Sequence, residues 1–349
     1  MTNTQRAKRA TIRDVARVAG VHPSTVSRAL GSDRQARALV NAETRARILK
    51  IAEDLNFRPD IAARTLKTGQ SHTVGVLLPD LTNPLFPPIV RGLEDRFAED
   101  GFVVLLGNTD DDASRGELVL EGLLSRGVDA LVVATARRSG SQFLELSRQG
   151  LPIVLINRVF DDQLVPSVAT DEVAGIRMAV RHVHSLGHHR IAHLAGPQDL
   201  STGRNRYRGY LAEMDSLGLD LEESMVCIAN LYSPEEGRRC AVELLDATGA
   251  RPTAIVAAND MLAIGCYQAL HALGLRCPED VAIVGFNDAP FSDLLSPPLT
   301  SIRFPHYQVG QQAAQLVLER IADPTAPIKV IFLPPELVVR GSTCSRVQG

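Results

Sequence analysis

From Thr73 onward, short apolar runs alternate with segments of helical length, and no other feature of the 349-residue sequence narrows its fold so much. The runs are Val74 to Leu78, Val103 to Leu106, Ala130 to Ala134, Ile153 to Ile156, Ile191 to Leu194, Ala254 to Ala257 and Val281 to Val284. Strands buried on both faces read this way, as those of parallel sheets do, whereas a sheet with one wet face alternates. Between the runs lie Phe86 to Ala98, Val173 to Leu186, Gly203 to Leu217, Pro234 to Leu245 and Met261 to Leu273. These suit the crossover helices that parallel strands require. The units are too many for one doubly wound sheet. Two halves with a ligand cleft at their strand ends are therefore expected.

The first 71 residues differ in texture and charge. They hold 14 Lys and Arg against 6 Asp and Glu, a balance of +8, while the other 278 hold 23 against 34, or −11. A near-neutral total of −3 thus hides a basic head on an acidic body, the electrostatic footprint of a nucleic-acid contact. Within the head, Thr11 to Leu30 reads as two short helices joined at Gly20. Thr11 and Asp14 form a capping pair, and Ile12, Val15, Ala16 and Ala19 make one apolar stripe. Gly20 supplies the left-handed stop and Pro23 suits the first position of the second helix. There Val26, Ala29 and Leu30 face inward, leaving Ser24, Thr25, Ser27 and Arg28 outward. A third helix is expected after the cap Asn41, with Ile48, Leu49, Ile51, Ala52 and Leu55 closing a three-helix core. Residues 59–68 form a brief helix-prone piece that orders only against a partner, which makes it a hinge.

Bulk properties limit the alternatives. No apolar run approaches the roughly 20 residues that cross a bilayer, and Met1 to Ala10 lacks the apolar core of a secretion signal. A cytoplasmic protein without a membrane partner is expected. The cysteines, Cys227, Cys240, Cys266, Cys277 and Cys344, are odd in number and widely spaced, which argues against a zinc site or disulfide framework. An enzyme is one rival reading, yet no Gly-x-Gly-x-x-Gly turn, phosphate loop or Gly-x-Ser-x-Gly elbow occurs. The cluster His188, His189 and His193 lacks a carboxylate at ligand spacing, and Asp110 to Asp112 suits the opening of a helix. No cofactor, metal or catalytic residue is expected. A stand-alone solute-binding protein is the second rival, and it gives no use for the basic head.

With these residues placed, the chain resembles the lactose and galactose repressor family of bacterial transcription regulators over essentially its full length. The resemblance rests on Thr11 to Leu30, Val40 to Arg45, Asn56 to Pro59, the hinge Ala63 to Lys67, Gly187 to Ile191, Ala258-Asn259-Asp260, Val284 to Asp288 and Pro297 to Thr300. It implies an α/β fold: an N-terminal three-helix helix-turn-helix DNA-binding domain with a hinge helix, then a two-subdomain, doubly wound core like the periplasmic binding proteins. The expected boundaries are 1–58 for the DNA-binding domain, 59–71 for the hinge and linker, and 72–349 for the core. Within the core, one subdomain takes 72–170 and 304–325 and the other 171–303 and 326–349. A homodimer reading a palindromic operator is implied, and with no leucine heptad tail after the last strand, expected at Leu337 to Arg340, a dimer is favoured over a coiled-coil tetramer.

The resemblance also assigns roles. Pro23, Ser24 and Arg28 face base edges, with Arg28 able to grip a guanine at two points. Thr25 and Ser27 hold phosphates, and Leu66 wedges into the minor groove at the operator centre. Thr11, Asn41, Arg64 and Lys67 complete the expected DNA contacts. In the core, Arg206 clamps effector oxygens, Asn259 is a polar contact, and Phe86 is a wall that can stack on a ring. Asn157, Arg158, Thr202, Tyr232 and Asp171 are expected at the same cleft. Asn287 stands where many sugar-sensing members place an aspartate, and its lost charge, taken with Arg158 and Arg206, points to a sugar or a sugar acid carrying a carboxylate or phosphate. The expected function is a DNA-binding regulator, a repressor in preference to an activator, switched by this small molecule.

Overall fold

The computed structural model describes residues 10–31, 37–57, 69–138, 141–246 and 251–343, and among these the principal helices of the head pack around one small core. They are α1 (Ile12–Ala19), α2 (Pro23–Leu30) and α3 (Ala42–Asp54). Thr11 and Asp14 cap each other reciprocally, the Thr11 N–H donating to Asp14 Oδ2 at 3.0 Å and the Asp14 N–H to Thr11 Oγ1 at 3.4 Å. Gly20 ends α1 at φ 64°, where a side chain would be strained. His22 caps α2 through Nδ1, which accepts from the Ser24 N–H at 3.2 Å. Val15, Ala16, Ala19, Val26, Ala29, Ile48 and Ala52 form the head's own core. Leu49 corrects an expectation: it is 44% exposed, because its neighbour Ile48 takes the inward position on α3.

The core has two six-stranded sheets. The first contains β1 (Thr73–Leu78), β2 (Val103–Asn108), β3 (Ala130–Val133), β4 (Ile153–Ile156), β5 (Ser167–Thr170) and β11 (Val330–Leu333), in the order β11-β5-β4-β3-β1-β2 and wholly parallel. The second contains β6 (Ile191–Ala195), β7 (Val226–Ile228), β8 (Ala254–Ala257), β9 (Ala282–Phe286), β10 (Thr300–Arg303) and β12 (Glu336–Val338), in the order β12-β10-β9-β8-β6-β7, with only β12 antiparallel. Every residue of β3, β4 and β8 is buried, as helices on both faces demand.

The covering helices are α4 (Phe86–Glu99), α5 (Ala113–Leu124), α6 (Ser141–Arg148), α7 (Glu172–Ser185), α8 (Ser201–Ser216), α9 (Pro234–Asp246), α10 (Asp260–Ala272) and α11 (His306–Ala322). Two close approaches need glycine. A Cβ on Gly92 of α4 would lie 2.1 Å from the Tyr307 carbonyl, and one on Gly310 of α11 would lie 2.0 Å from that of Ile89. Among the described residues no helix is long and apolar enough to cross a membrane.

The chain passes between sheets three times, after β5, after β10 and after β11. The boundary expected at 326 is thereby corrected. Residues Val330–Leu333 pair with Ser167–Thr170 of the first sheet, so the final crossing falls after Leu333. The last strand is Glu336–Val338 instead of Leu337 to Arg340.

Candidate functional site

A cavity of about 400 Å³ lies between the sheets, walled by the segments that follow the carboxyl ends of the parallel strands. Pro79 and Asp80 follow β1, Asp110 and Asp111 follow β2, and Asn157 and Arg158 follow β4. From the other half come Thr202 and Arg206 on α8, Leu231 and Tyr232 beyond β7, Asn259 beyond β8 and Asn287 beyond β9. This is where open α/β sheets place ligands, because strand ends there leave a crevice lined by loops and helix starts. Phe86, opening α4, adds an aromatic wall.

The cavity's charges are tied down. Arg158 is 4% exposed and gives both Nη groups to the Asp111 carboxylate, at 2.6 and 2.8 Å. Burial pushes the Asp111 carboxyl up, yet the two hydrogen bonds and the charge of Arg158 outweigh it and hold the group below the usual carboxylate range. Arg206, 2% exposed, gives Nε to Glu172 and Nη1 to the Ala258 carbonyl, the latter at 2.6 Å. Its guanidinium carbon stands 3.9 Å from the centre of the Phe286 ring. Burial raises the Glu172 carboxyl above its ordinary range despite that neighbour. The two arginines expected to meet an anionic effector are therefore already neutralised.

Unspent hydrogen-bonding capacity remains. The side-chain oxygens of Asn157 and Asn287 are buried and unpartnered, as is Arg158 Nε. Both asparagines hold positive φ, 62° and 104°, and both anchor their backbone N–H on a strand carbonyl, Val168 at 3.0 Å and Ile302 at 2.8 Å. Tyr232 donates its hydroxyl to Thr202 Oγ1 at 3.2 Å. Asn259 spends its oxygen on the Leu262 N–H at 2.9 Å, capping α10. The arrangement can donate to and accept from a small polar molecule while Phe86 stacks against it.

Of the residues expected at the cleft, Asp171 does not line the cavity. It is exposed and caps α7, its Oδ1 accepting from the Ala174 N–H at 2.9 Å. Asp80, Asp111 and Ser233 line it without having been anticipated. Asp111 sits in a run of three aspartates whose signal was present, but Asp112 alone caps the helix that the run opens, accepting from the Arg115 N–H at 2.7 Å. Two of the three clustered histidines are internal, His188 Nδ1 lying 3.1 Å from Thr253 Oγ1 and His193 Nδ1 2.8 Å from the Val256 carbonyl, while His189 is exposed. Among the described residues no three His, Cys, Asp or Glu side chains are grouped to hold a metal.

Beside the cavity, polar contacts join the halves. Asp161 receives Arg138 at 3.0 and 2.7 Å from its own half and Arg204 at 2.7 Å from the other. Arg138 also donates across the cleft to the carbonyls of Gln198 and Asp199, each at 3.2 Å, and Arg137 pairs with the Asp199 carboxylate.

On the head, Ser24, Ser27 and Arg28 are exposed on α2, while Pro23 and Thr25 are half-buried. Asn41 is exposed but spends its oxygen on the Thr44 N–H at 2.7 Å, and the Thr11 hydroxyl is held by Asp14 at 2.7 Å. Arg64, Leu66 and Lys67 lie outside the described residues.

Two family models match the chain: "Bacterial regulatory proteins, lacI family" over residues 11–60 and "Periplasmic binding protein-like domain" over 180–343. The ribose operon repressor of Escherichia coli strain K12 is 33% identical over 334 residues, 95% of this chain and 99% of that protein. The transcriptional repressor PurR of Pasteurella multocida is 31% identical over 97% of this chain and 100% of its own length. Among solved structures, the lac repressor dimer bound to operator and the anti-inducer ONPF superposes with a TM-score of 0.81 at 27% identity, covering 97% of this chain and 100% of that one. A lacI family regulator from Enterococcus faecium with bound ribose gives 0.68 at 32% identity, covering 78% and 99%.

Proposed function

The chain belongs to the lacI family of bacterial regulatory proteins, and on that footing we propose that it is a repressor released or engaged by an uncharged polyhydroxyl compound of the sugar class. It is a DNA-binding transcriptional regulator that acts on operator DNA as a dimer. Ser24, Ser27 and Arg28 of α2 are its base-facing and phosphate-facing side chains, with Pro23, Thr25, Thr11 and Asn41 in support. Arg64, Leu66 and Lys67 act from the hinge.

The ligand class rests on one observation: both cavity arginines are neutralised, by Asp111 and Glu172, while the Asn157 and Asn287 oxygens lack donors. A hydroxyl donates to those oxygens, and a carboxylate cannot. An anion would also meet the Asp80 carboxylate in the cavity wall. The ribose bound by the Enterococcus faecium regulator belongs to the same chemical class. Phe86, Asn157, Arg158, Thr202, Arg206, Tyr232, Asn259 and Asn287 form the binding set, and the cavity is assigned no chemical step.

The ligand switches the operator only through a difference in affinity between two arrangements of the core. Two titrations test the reading. In calorimetry with a panel of aldoses and the matching aldonates, neutral members bind and acids do not; binding confined to acids refutes the ligand class. In a gel shift with genomic palindromic duplexes, a specific complex forms whose midpoint moves with the bound sugar. A protein indifferent to duplex sequence refutes the regulator.

A further inference from the structure

The second helix of the head, α2, begins on a histidine whose backbone and ring are both engaged. The His22 carbonyl accepts from the Thr25 N–H at 2.9 Å and the Val26 N–H at 3.4 Å, and its Nδ1 accepts from the Ser24 N–H at 3.2 Å. A backbone N–H can only donate, so Nδ1 carries a lone pair and the ring proton of the imidazole sits on Nε2. The same Nδ1 lies 2.7 Å from Ser24 Oγ. With no proton on that nitrogen, the hydrogen of the contact belongs to the serine. The Ser24 hydroxyl donates to His22 and keeps only oxygen lone pairs for anything else.

We propose that this commitment sets which base edge Ser24 reads: its oxygen accepts from the exocyclic amine of a cytosine or adenine in the major groove and disfavours guanine and thymine at that position. A free serine reads either kind of edge, because one hydroxyl both donates and accepts. Guanine O6 and thymine O4 need a donor, and Ser24 supplies one only by giving up its bond to Nδ1. Cytosine N4 and adenine N6 bring their own hydrogens. His22 is thus a positioning residue that acts on specificity through its neighbour. The inference rests on the assignment of α2 as the base-facing helix above.

Placement on the helix agrees with this chemistry. Ser24 and Arg28 stand four residues apart and are both exposed, so they share one side of α2, turned away from the buried Val26 and Ala29. Ser24 lies in the first turn, the end of a recognition helix that meets base edges. Arg28 is a donor only and suits guanine, while Ser24, an acceptor only toward the groove, suits the opposite kind of edge. The two neighbours therefore tell different bases apart. Breaking the bond to Nδ1 forfeits one neutral hydrogen bond, which is about threefold to tenfold in affinity.

The test uses the full-length dimer and a library of duplexes with randomised palindromic half-sites, from which bound duplexes are selected and sequenced. The proteins compared are the wild type, Ser24→Ala, Arg28→Ala, His22→Ala and His22→Asn. Ser24→Ala is expected to flatten the preference at one half-site position, where the wild type favours cytosine or adenine by about threefold to tenfold over guanine and thymine. His22→Ala admits guanine and thymine there, yet keeps the preference at the position that Arg28→Ala flattens, which a frayed helix would not spare. His22→Asn retains the wild-type pattern, since its amide oxygen accepts as Nδ1 does. The inference is overturned by guanine or thymine at the Ser24 position in the wild type, by no position flattening in Ser24→Ala, by equal patterns for the wild type and His22→Ala, or by His22→Asn behaving as His22→Ala does. Each of these leaves the regulator standing, whereas a wild type that enriches no sequence defeats the regulator reading and this inference with it.

Discussion

Asp111 takes both Nη groups of Arg158, at 2.6 and 2.8 Å, and so the guanidinium reaches the cavity with its charge already matched. Its unpartnered Nε is left as a donor suited to a neutral oxygen. Asp111→Asn removes the matching charge and leaves the shape. We expect this variant to gain affinity for an aldonate by roughly tenfold relative to the matching aldose, the scale of one partly screened charge contact. Calorimetry on both ligands measures the ratio, and an unmoved ratio refutes the neutralisation argument.

Glu172 and Arg206 are a buried pair, 5% and 2% exposed, and removing one partner strands the other. Arg206→Ala is expected to cost about 3–5 kcal/mol of stability as well as effector binding. The carboxyl left behind escapes part of the penalty by protonating, so the deficit grows as pH rises above the usual carboxylate range. Adding Glu172→Gln recovers much of the loss, because an amide in that place carries no charge. Urea unfolding at one fixed dimer concentration decides it. A single variant within 1 kcal/mol of wild type, on the order of an ordinary surface change, contradicts the account.

Asp161 joins Arg138 and Arg204 across the edge of the cleft. Exposed ion pairs are weak singly, but this one shares an acceptor between the halves and sits beside the backbone contacts to Gln198 and Asp199. Asp161→Asn is expected to weaken effector binding by about threefold to tenfold without touching the cavity lining, as loss of one such network contact of under about 1.4 kcal/mol implies. The wild type should also lose sugar affinity with added salt more steeply than the variant. Identical salt slopes for an uncharged sugar exclude the latch.

How far the sequence revealed this arrangement can be read residue by residue. The apolar runs locate most of the strands, and the carboxyl end of one of them locates Asn157 and Arg158, since ligand loops follow such ends, whereas Asn259 and Asn287 are placed by the resemblance to the family. Asp111 stayed hidden because its role is a pairing with Arg158, 47 positions away. Asp171 misled in the opposite sense: an acid between a strand and a helix serves equally as a cap, and here it is one. Strand Val330–Leu333 went unseen because it is short and finds its register on Ser167–Thr170, which no local pattern encodes. Leu49 shows that helical spacing marks a face without fixing its width.

Arg28 is exposed on α2, whose buried residues Val26 and Ala29 turn the opposite side inward. A guanidinium on a helix presented to the major groove can bond guanine at two points. Arg28→Ala should therefore cost about 1–3 kcal/mol on the operator and much less on a scrambled duplex. Fluorescence anisotropy with both duplexes at one salt concentration measures it, and equal losses reduce Arg28 to a phosphate contact.

Two buried groups set opposite pH slopes. Burial raises the Asp260 carboxyl to about 7, even though it accepts from the Ala289 N–H at 2.6 Å and from Ser301 Oγ at 2.7 Å. Between its usual pKa of 3.8 and about 7 the folded chain thus holds a proton that the unfolded chain releases, and stability falls as pH rises. Burial lowers His193 from 6.5 to about 4, so in that window the unfolded chain holds the extra proton and stability rises with pH. Each group contributes a slope of up to about 1.4 kcal/mol per pH unit, with opposite signs, and in the wild type they offset one another. His306, also lowered to about 4 by burial, adds to the histidine side. Asp260→Asn removes the acid and leaves the histidines, so its stability should climb more steeply than the wild type's between about pH 4.5 and 6.5. His193→Phe should tilt the curve the other way. Urea unfolding across that range gives three slopes; parallel curves would mean that neither group changes protonation on folding.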